Sequence, residues 1–430
     1  MRTLLLVFIL FPFTKILPLE TYNQPYAFAL GLILLVLAPG QFLRMPRRDR
    51  MMLTCFLALG IGMFLLVIPR QAGLRELQYL LIYATPFFVV PVVLDIVRSH
   101  TEHAKRILTI GIVLWVGVAI IQTIYDPNFL TFLVSSSTEL GSNVVDSGRG
   151  VLSFAPEPTH FGLHMLAMGA TLYLLRGPNW AVALAIISSL VLARSSFALL
   201  VLVLGFVTWV MLAVRRWPLV ALIAGSSYFA QYIASSIFPE DSRIGRLLAV
   251  FTQSGRDVLL DYSVNARLYG IYAPIAESFA NFLIPLGIHQ DDWLRLRDVI
   301  LAENPHIINL STSGAASGYG IVLVQAGLLG LPALIYFFRR ICLVNKTEWS
   351  GFVPTSGFFV FLGQLNLSTP TFSLLLAAAI FAAQTRGSRT LVYPTQNMPP
   401  FDRDPRGNFQ GASFDMGHQP RHTPRFPGKE

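Results

Sequence analysis

Residues 148–169 read GRGVLSFAPEPTHFGLHMLAMG, placing Arg149, Glu157 and His160 immediately before an apolar run. A carboxylate near an imidazole can take a proton from an attacking hydroxyl, so Glu157 and His160 are candidates for general-base work. Pro156 and Pro158 restrict the backbone and hold the carboxylate rigidly between them. Thr159 is placed to cap a helix beginning near His160, and the positive end of that helix would face the preceding loop. A structural alternative has Glu157 capping the helix and pairing with Arg149 while His160 fills an interfacial niche. His164, one turn further on, reads as core packing.

Three arginines flank apolar segments: Arg149, Arg194 in SLVLARSSFALLVLV, and Arg267 in SVNARLYGIYAPIAESFANFL. An arginine at membrane depth is costly unless it snorkels or pairs, which makes Arg194 a functional candidate, with snorkelling at a tight helical hairpin as its alternative. The planar guanidinium stays charged and donates paired hydrogen bonds to adjacent oxygens, so several arginines around one cavity suit a pyrophosphate. His289 and His306 sit in a long loop and could reach such a cavity, or be ordinary loop residues. Asp291, Asp292, Asp298 and Glu303 show no regular ligand spacing and read as solvated acids rather than a divalent-cation site.

The elements that must position these groups are membrane helices. Of the 430 residues, 54% are hydrophobic and 13% charged, against about 25% charged in a soluble domain. Mean hydropathy is +0.59. Cys55 and Cys342 suggest neither a disulfide framework nor a metal cluster, and no CxxC, HExxH or P-loop pattern occurs, so neither a metal nor a nucleotide cofactor is expected. The net charge of +9 comes from short basic loops and a basic tail, which positive-inside topology explains better than nucleic-acid binding. The amino-terminal MRTLLLVFILFPFTKILPLE lacks a small-x-small cleavage site and reads as an uncleaved first span.

Runs long enough to cross a bilayer lie near 3–18, 27–43, 51–68, 77–97, 107–124, 160–175, 180–193, 196–214, 217–237, 317–338, 351–366 and 369–385. The expected fold is an all-α polytopic membrane bundle of about twelve spans within residues 1–385, the stretch 180–214 being either two short spans or one long tilted helix. The basic loops RMPRRDR, RSHTEHAKR, RGPN, RRW and RRICLVNK fall on one side, giving both termini a cytoplasmic placement. The outer loops 125–159 and 238–316 contain no lysine, and the second carries nine acids against six arginines. Both are far longer than ordinary connections and read as a lid and wall over one face of the bundle. Within the second, Leu268, Ile271, Tyr272, Ile275, Phe279 and Phe282 recur at helical spacing and form one apolar face. Residues 386–430 hold seven prolines without apolar periodicity, as expected of a disordered basic cytoplasmic tail.

The stretch GRGVLSFAPEPTHFG resembles the arginine–glutamate–proline signature in the outer loop of bacterial O-antigen polymerases, within the wider O-antigen ligase and polymerase superfamily. LARSSFALL is similar to that family's serine- and arginine-bearing turn, and SVNARLYGIYAPIAESFANFLIPLGIH to its large-loop segment ending in P-x-G. SGYGIVLVQAGLLGLPALIYFF resembles the helix that follows. The similarity runs from about Arg149 to Phe338, and the earlier spans fit in number only.

This resemblance implies a GT-C class membrane glycosyltransferase in the bacterial inner membrane. It would act without a metal on a glycan carried by undecaprenyl pyrophosphate, passing it to an acceptor glycan in surface polysaccharide biosynthesis. Arg149, Arg194 and Arg267 would hold the diphosphate, with Glu157, His160 and His306 as catalytic candidates. Membrane lipid and polysaccharide export or chain-length proteins are the implied partners. The family's ligase branch carries a histidine–asparagine pair before the helix after the large loop. Here His306 and Asn309 stand about ten residues early, which favours the polymerase branch over ligation to lipid A. The rivals are a ligase for a lipid or protein acceptor, a glycolipid flippase and a scaffolding membrane protein.

Overall fold

Prolines and glycines decide where the apolar runs become helices. The computed structural model describes residues 1–16, 23–134, 141–146, 149–213, 262–312, 314–344, 348–363 and 365–390. The fold is all-helical, and among the described residues the one β-type pairing is an isolated bridge between Thr14 and Val134. First along the chain lie α1 (Arg2–Leu10), α2 (Tyr26–Leu37), α3 (Arg47–Val67), α4 (Leu74–Ser99) and α5 (Thr101–Ile124). Next come α6 (Pro158–Leu174), α7 (Asn179–Val191), α8 (Ser196–Ala213), α9 (Tyr262–Ala280) and α10 (Gln290–Glu303). After these stand α11 (Gly318–Ala326), α12 (Leu331–Cys342), α13 (Phe352–Phe359) and α14 (Pro370–Thr390). The chain divides into Met1–Gly387 and Ser388–Glu430, and of the second unit all but 388–390 lies outside the described residues, as does the expected disordered tail from 391.

Three described helices are long and apolar enough to cross a membrane: Arg47–Arg70, which is α3 with its 3-10 extension, then α4 and α5. Shorter apolar helices cover Tyr26–Leu37, Asn179–Val191, Ser196–Leu212, Gly318–Leu329 and Phe352–Leu362. Twelve full-length spans are therefore not what the described residues hold, and the run at 217–237 lies outside them. The shortening has identifiable causes. At 1.5 Å per residue, the nine residues of α1 rise about 14 Å against a hydrocarbon core of about 30 Å, and Pro12 stops the helix from continuing. The run at 317–338 breaks at Gly327, whose φ is +53°, and passes through a 3-10 turn into α12. The run at 351–366 turns into 3-10 helix at Val360–Leu362. The stretch 180–214 is two helices, α7 and α8, separated by a turn at Leu192–Ser195.

Small residues let the helices approach closely, as they do in membrane bundles. A methyl group on Gly205 of α8 would stand 2.6 Å from the Ser356 backbone of α13. One on Gly357 of α13 would stand 2.5 Å from Ala170 of α6. The packed interior includes Trp115, Phe161, Phe337, Phe361 and Phe372, all fully buried.

Polar contacts gather at the two ends of α4. At its carboxyl end Arg2 and Arg44 pair with Asp95 at 3.1 and 3.4 Å, and Arg98 donates to Gln384. Buried Asp49, which accepts from Tyr336 and Arg340, lies near the start of α3, and Arg386 pairs with Glu348. At the amino end of α4, the Glu76 carboxylate accepts from the Gly73 and Gln290 amides at 2.8 and 3.0 Å and so caps α4 and α10 together. Beside it Arg70 makes a two-pronged bond to Asp292 at 2.7 and 3.0 Å. The 68–76 loop is thereby fastened to α10, within the long segment expected to fold over that end.

Candidate functional site

The segment from Arg149 to Glu157 has no regular structure of its own, so its backbone groups must find partners elsewhere. Val151 donates to the Leu192 carbonyl at 3.0 Å. Ser153 is fully buried with φ of +52°, an unfavourable conformation for a residue with a side chain. Gln122 of α5 holds it there: its amide oxygen accepts from Ser153 N at 2.6 Å and its amide nitrogen donates to Ser153 O at 3.2 Å. The Ser153 hydroxyl completes the clamp by donating to the Trp115 carbonyl at 2.7 Å.

Glu157 then takes the cap position of α6, with extended φ and ψ and no side-chain bond to the helix. Pro158 follows in the first turn, where its missing N–H costs nothing. The helix thus starts two residues earlier than expected, and Thr159 lies buried inside the first turn instead of capping it. The Glu157 carboxylate turns to two arginines. Its Oε2 stands 3.8 Å from Arg149 Nη2 and 3.2 Å from Arg267 Nη2. Side-chain exposures of 31% for Glu157, 20% for Arg149 and 15% for Arg267 place the cluster in partial shelter. Charges there are screened less than on an open surface.

Arg194 comes next to this cluster through the backbone. A methyl group on Gly150 would stand 2.2 Å from the Ala193 carbonyl, so only glycine lets the Arg149 segment lie on the turn that carries Arg194. Gly162 of α6 packs on the same turn, its added methyl falling 3.1 Å from Ser195 Cβ. Arg194 itself has φ of +44° and an exposed side chain that makes no hydrogen bond or ion pair with a described residue. The structure therefore brings Arg149, Glu157 and Arg267 into direct contact and packs the turn that carries Arg194 against the Arg149 segment.

The histidines part company. His160 is buried in the first turn of α6, its ring edge-on to Phe13 at 5.8 Å. His164 is fully buried, with Nε2 2.9 Å from the Leu10 carbonyl and Nδ1 3.1 Å from the Thr371 hydroxyl. A ring whose Nε2 donates to a carbonyl is left with Nδ1 as acceptor from Thr371, and it ties α1, α6 and α14 together. His306 is exposed, its ring 5.0 Å from Tyr269 of α9. Asn265 fixes that segment, donating to the His306 carbonyl and accepting from Ile308 N, each at 3.0 Å. Residues two apart point about 200° from one another around a helix, so Asn265 holds His306 on the side of α9 away from Arg267. His289 caps α10, its Nδ1 accepting from Asp291 N at 3.2 Å.

The apolar face expected along 268–282 is divided. Ile271 and Ile275 pack against the core, whereas Tyr272, Phe279 and Phe282 are exposed at 65%, 57% and 89%. The P-x-G segment after α9 also serves the fold directly. There Leu286 N and Gly287 N donate to the Val324 and Gln325 carbonyls at 3.1 and 2.9 Å, closing the carboxyl end of α11. Sequence reasoning passed over Gln122 and Asn265. A lone amide in the apolar run WVGVAIIQTI and an asparagine two residues before Arg267 were the signals available.

Chemically, the cluster can hold an anion. Two guanidiniums face one carboxylate, and the turn that carries Arg194 packs on the segment that carries Arg149. Comparison with models of known protein families, with characterised proteins and with solved structures gives no match for this chain.

Proposed function

We propose that the chain is a polytopic glycosyltransferase of about twelve spans in a bacterial inner membrane, with both termini cytoplasmic. In this reading it polymerises a glycan delivered on undecaprenyl pyrophosphate. The observation that carries the proposal is the meeting of Arg149 and Arg267, from separate segments, on the carboxylate of Glu157, with the Arg194 turn packed alongside.

The donor is a sugar esterified through a diphosphate to a polyprenyl chain, and that anionic diphosphate would meet the two guanidiniums held on Glu157, with Arg194 reaching it from the turn packed alongside. An acceptor sugar hydroxyl attacks the anomeric carbon, the bond from that carbon to the diphosphate oxygen breaks, and charge grows on the departing oxygen. Fixed guanidinium donors in a poorly solvated site stabilise that charge without reorganisation. Binding of the diphosphate draws Arg149 and Arg267 from Glu157, whose carboxylate then accepts the acceptor proton. Glu157 is the better-placed base, since His306 stands across α9 and His160 is enclosed beside Phe13.

The test is transfer by purified protein in vesicles containing a polyprenyl-diphosphate glycan, with release of polyprenyl diphosphate as readout. Elongation that persists in EDTA and is lost in Glu157→Gln supports the reading. No release from the donor by folded wild-type protein, across a panel of donor glycans, overturns it.

A further inference from the structure

The end of the bundle that holds Arg2, Arg44 and Asp95 also contains a groove with no part in the proposed transfer. Its volume is about 500 Å³, and it runs between Glu102, Lys105 and Arg106 at the start of α5 and the turn Arg176–Pro178 between α6 and α7. Lys105 is bonded to Glu102 at 2.7 Å, so the one acid in the groove is already matched. The Arg106 and Arg176 side chains are exposed and make no hydrogen bond or ion pair with a described residue.

The backbone of the turn sets Arg176 outward. Arg176 N donates to the Tyr173 carbonyl and Gly177 N to the Leu172 carbonyl, at 2.9 and 2.8 Å, closing α6 in a Schellman turn. The left-handed position of that turn, normally glycine or asparagine, is Arg176 itself, with φ of +56°. Below the cations α5 exposes an apolar row, with Ile110, Val113 and Leu114 at 57%, 44% and 49%. Trp180, 57% exposed, stands just after the turn, and tryptophan is a common residue at the membrane–water boundary.

We propose that this groove binds an anionic phospholipid of the leaflet at that end, Arg106 and Arg176 donating to its phosphate while an acyl chain lies along the apolar row. With Lys105 matched to Glu102, the two guanidiniums supply the charge complementarity for a phosphate group. The exposed row continuous with them singles out a lipid over free phosphate, which has no use for an apolar surface.

The experiment is native mass spectrometry of the full chain in detergent, titrated with phosphatidylglycerol, phosphatidylcholine or inorganic phosphate. The double variant Arg106→Gln/Arg176→Gln is compared with Arg47→Gln/Arg48→Gln, which removes equal charge from exposed positions outside the groove. Phosphatidylglycerol binding should weaken about thirtyfold in the groove variant and less than about threefold in the control. Equal losses in the two variants, equal binding of phosphatidylcholine, or displacement of the lipid by millimolar phosphate would overturn the proposal. Arg106→Lys/Arg176→Lys, which keeps the charge, should retain most of the binding, and its failure to do so while monodisperse would count against a charge-selected lipid.

Discussion

Arg267 Nη2 lies 3.2 Å from Glu157 Oε2 across 110 residues of sequence. Arg149 Nη2, eight positions before the glutamate, comes within 3.8 Å of the same oxygen. One carboxylate oxygen thus joins the segment before α6 to α9, and removing it leaves two guanidiniums facing each other. Substituting Glu157 by Gln should cut glycan elongation by roughly 10²–10⁴-fold, the scale of losing a general base. Arg267→Lys should recover only part of the activity lost in Arg267→Ala, since it keeps the charge without the planar fork.

The Gly150 contact makes the placement of Arg194 testable without touching an arginine. Gly150→Ala drives a methyl group to 2.2 Å from the Ala193 backbone, which should cost about 1–3 kcal/mol as overpacking and reduce elongation together with thermal stability. Gly62→Ala is the control, because nothing lies within 4 Å of its added methyl. Its melting temperature should hold or rise slightly, as for glycine replacement inside a helix.

His164 and His306 should separate in a melting experiment. His164→Ala removes a fully buried ring bonded to Leu10 and Thr371 and should destabilise by about 3 kcal/mol. His306→Ala removes an exposed ring and should fall within about 0.5 kcal/mol of wild type. Its elongation activity should also exceed that of Glu157→Gln by at least about tenfold if the base is the carboxylate.

Asn265→Ala strips both backbone partners from residues 306–308. Hydrogen exchange at Ile308 should accelerate sharply, with a stability cost of about 1–3 kcal/mol for the two hydrogen bonds lost. Unchanged exchange at Ile308 would show that the segment is held by other means.

Particular residues show what a sequence reader could and could not see. The neighbours Arg149 and Glu157 were legible because they are close in the chain and flanked by prolines that fix the backbone. The partnership of Glu157 with Arg267 was not, since nothing local in SVNARLYG specifies a contact 110 residues away. Apolar composition was enough for an all-helical membrane-compatible chain, but hydropathy counts side chains and ignores where the hydrogen-bond ladder breaks. Gly327 at positive φ, the 3-10 turn at Val360–Leu362 and Pro12 after α1 each shorten a run that composition alone reads as a full span. Thr159 has a capping residue's chemistry, but proline is at home in a first turn, so the helix begins at Pro158 and Glu157 takes the cap position.

Arg149, Arg194 and Arg267 are proposed to act on one diphosphate, and the most direct measurement is long-chain glycan in cells whose only copy carries alanine at one of the three positions. With the membrane protein present at wild-type level, each variant should lose at least about 100-fold of the long-chain product. Normal chain length and yield in all three would contradict a shared diphosphate site.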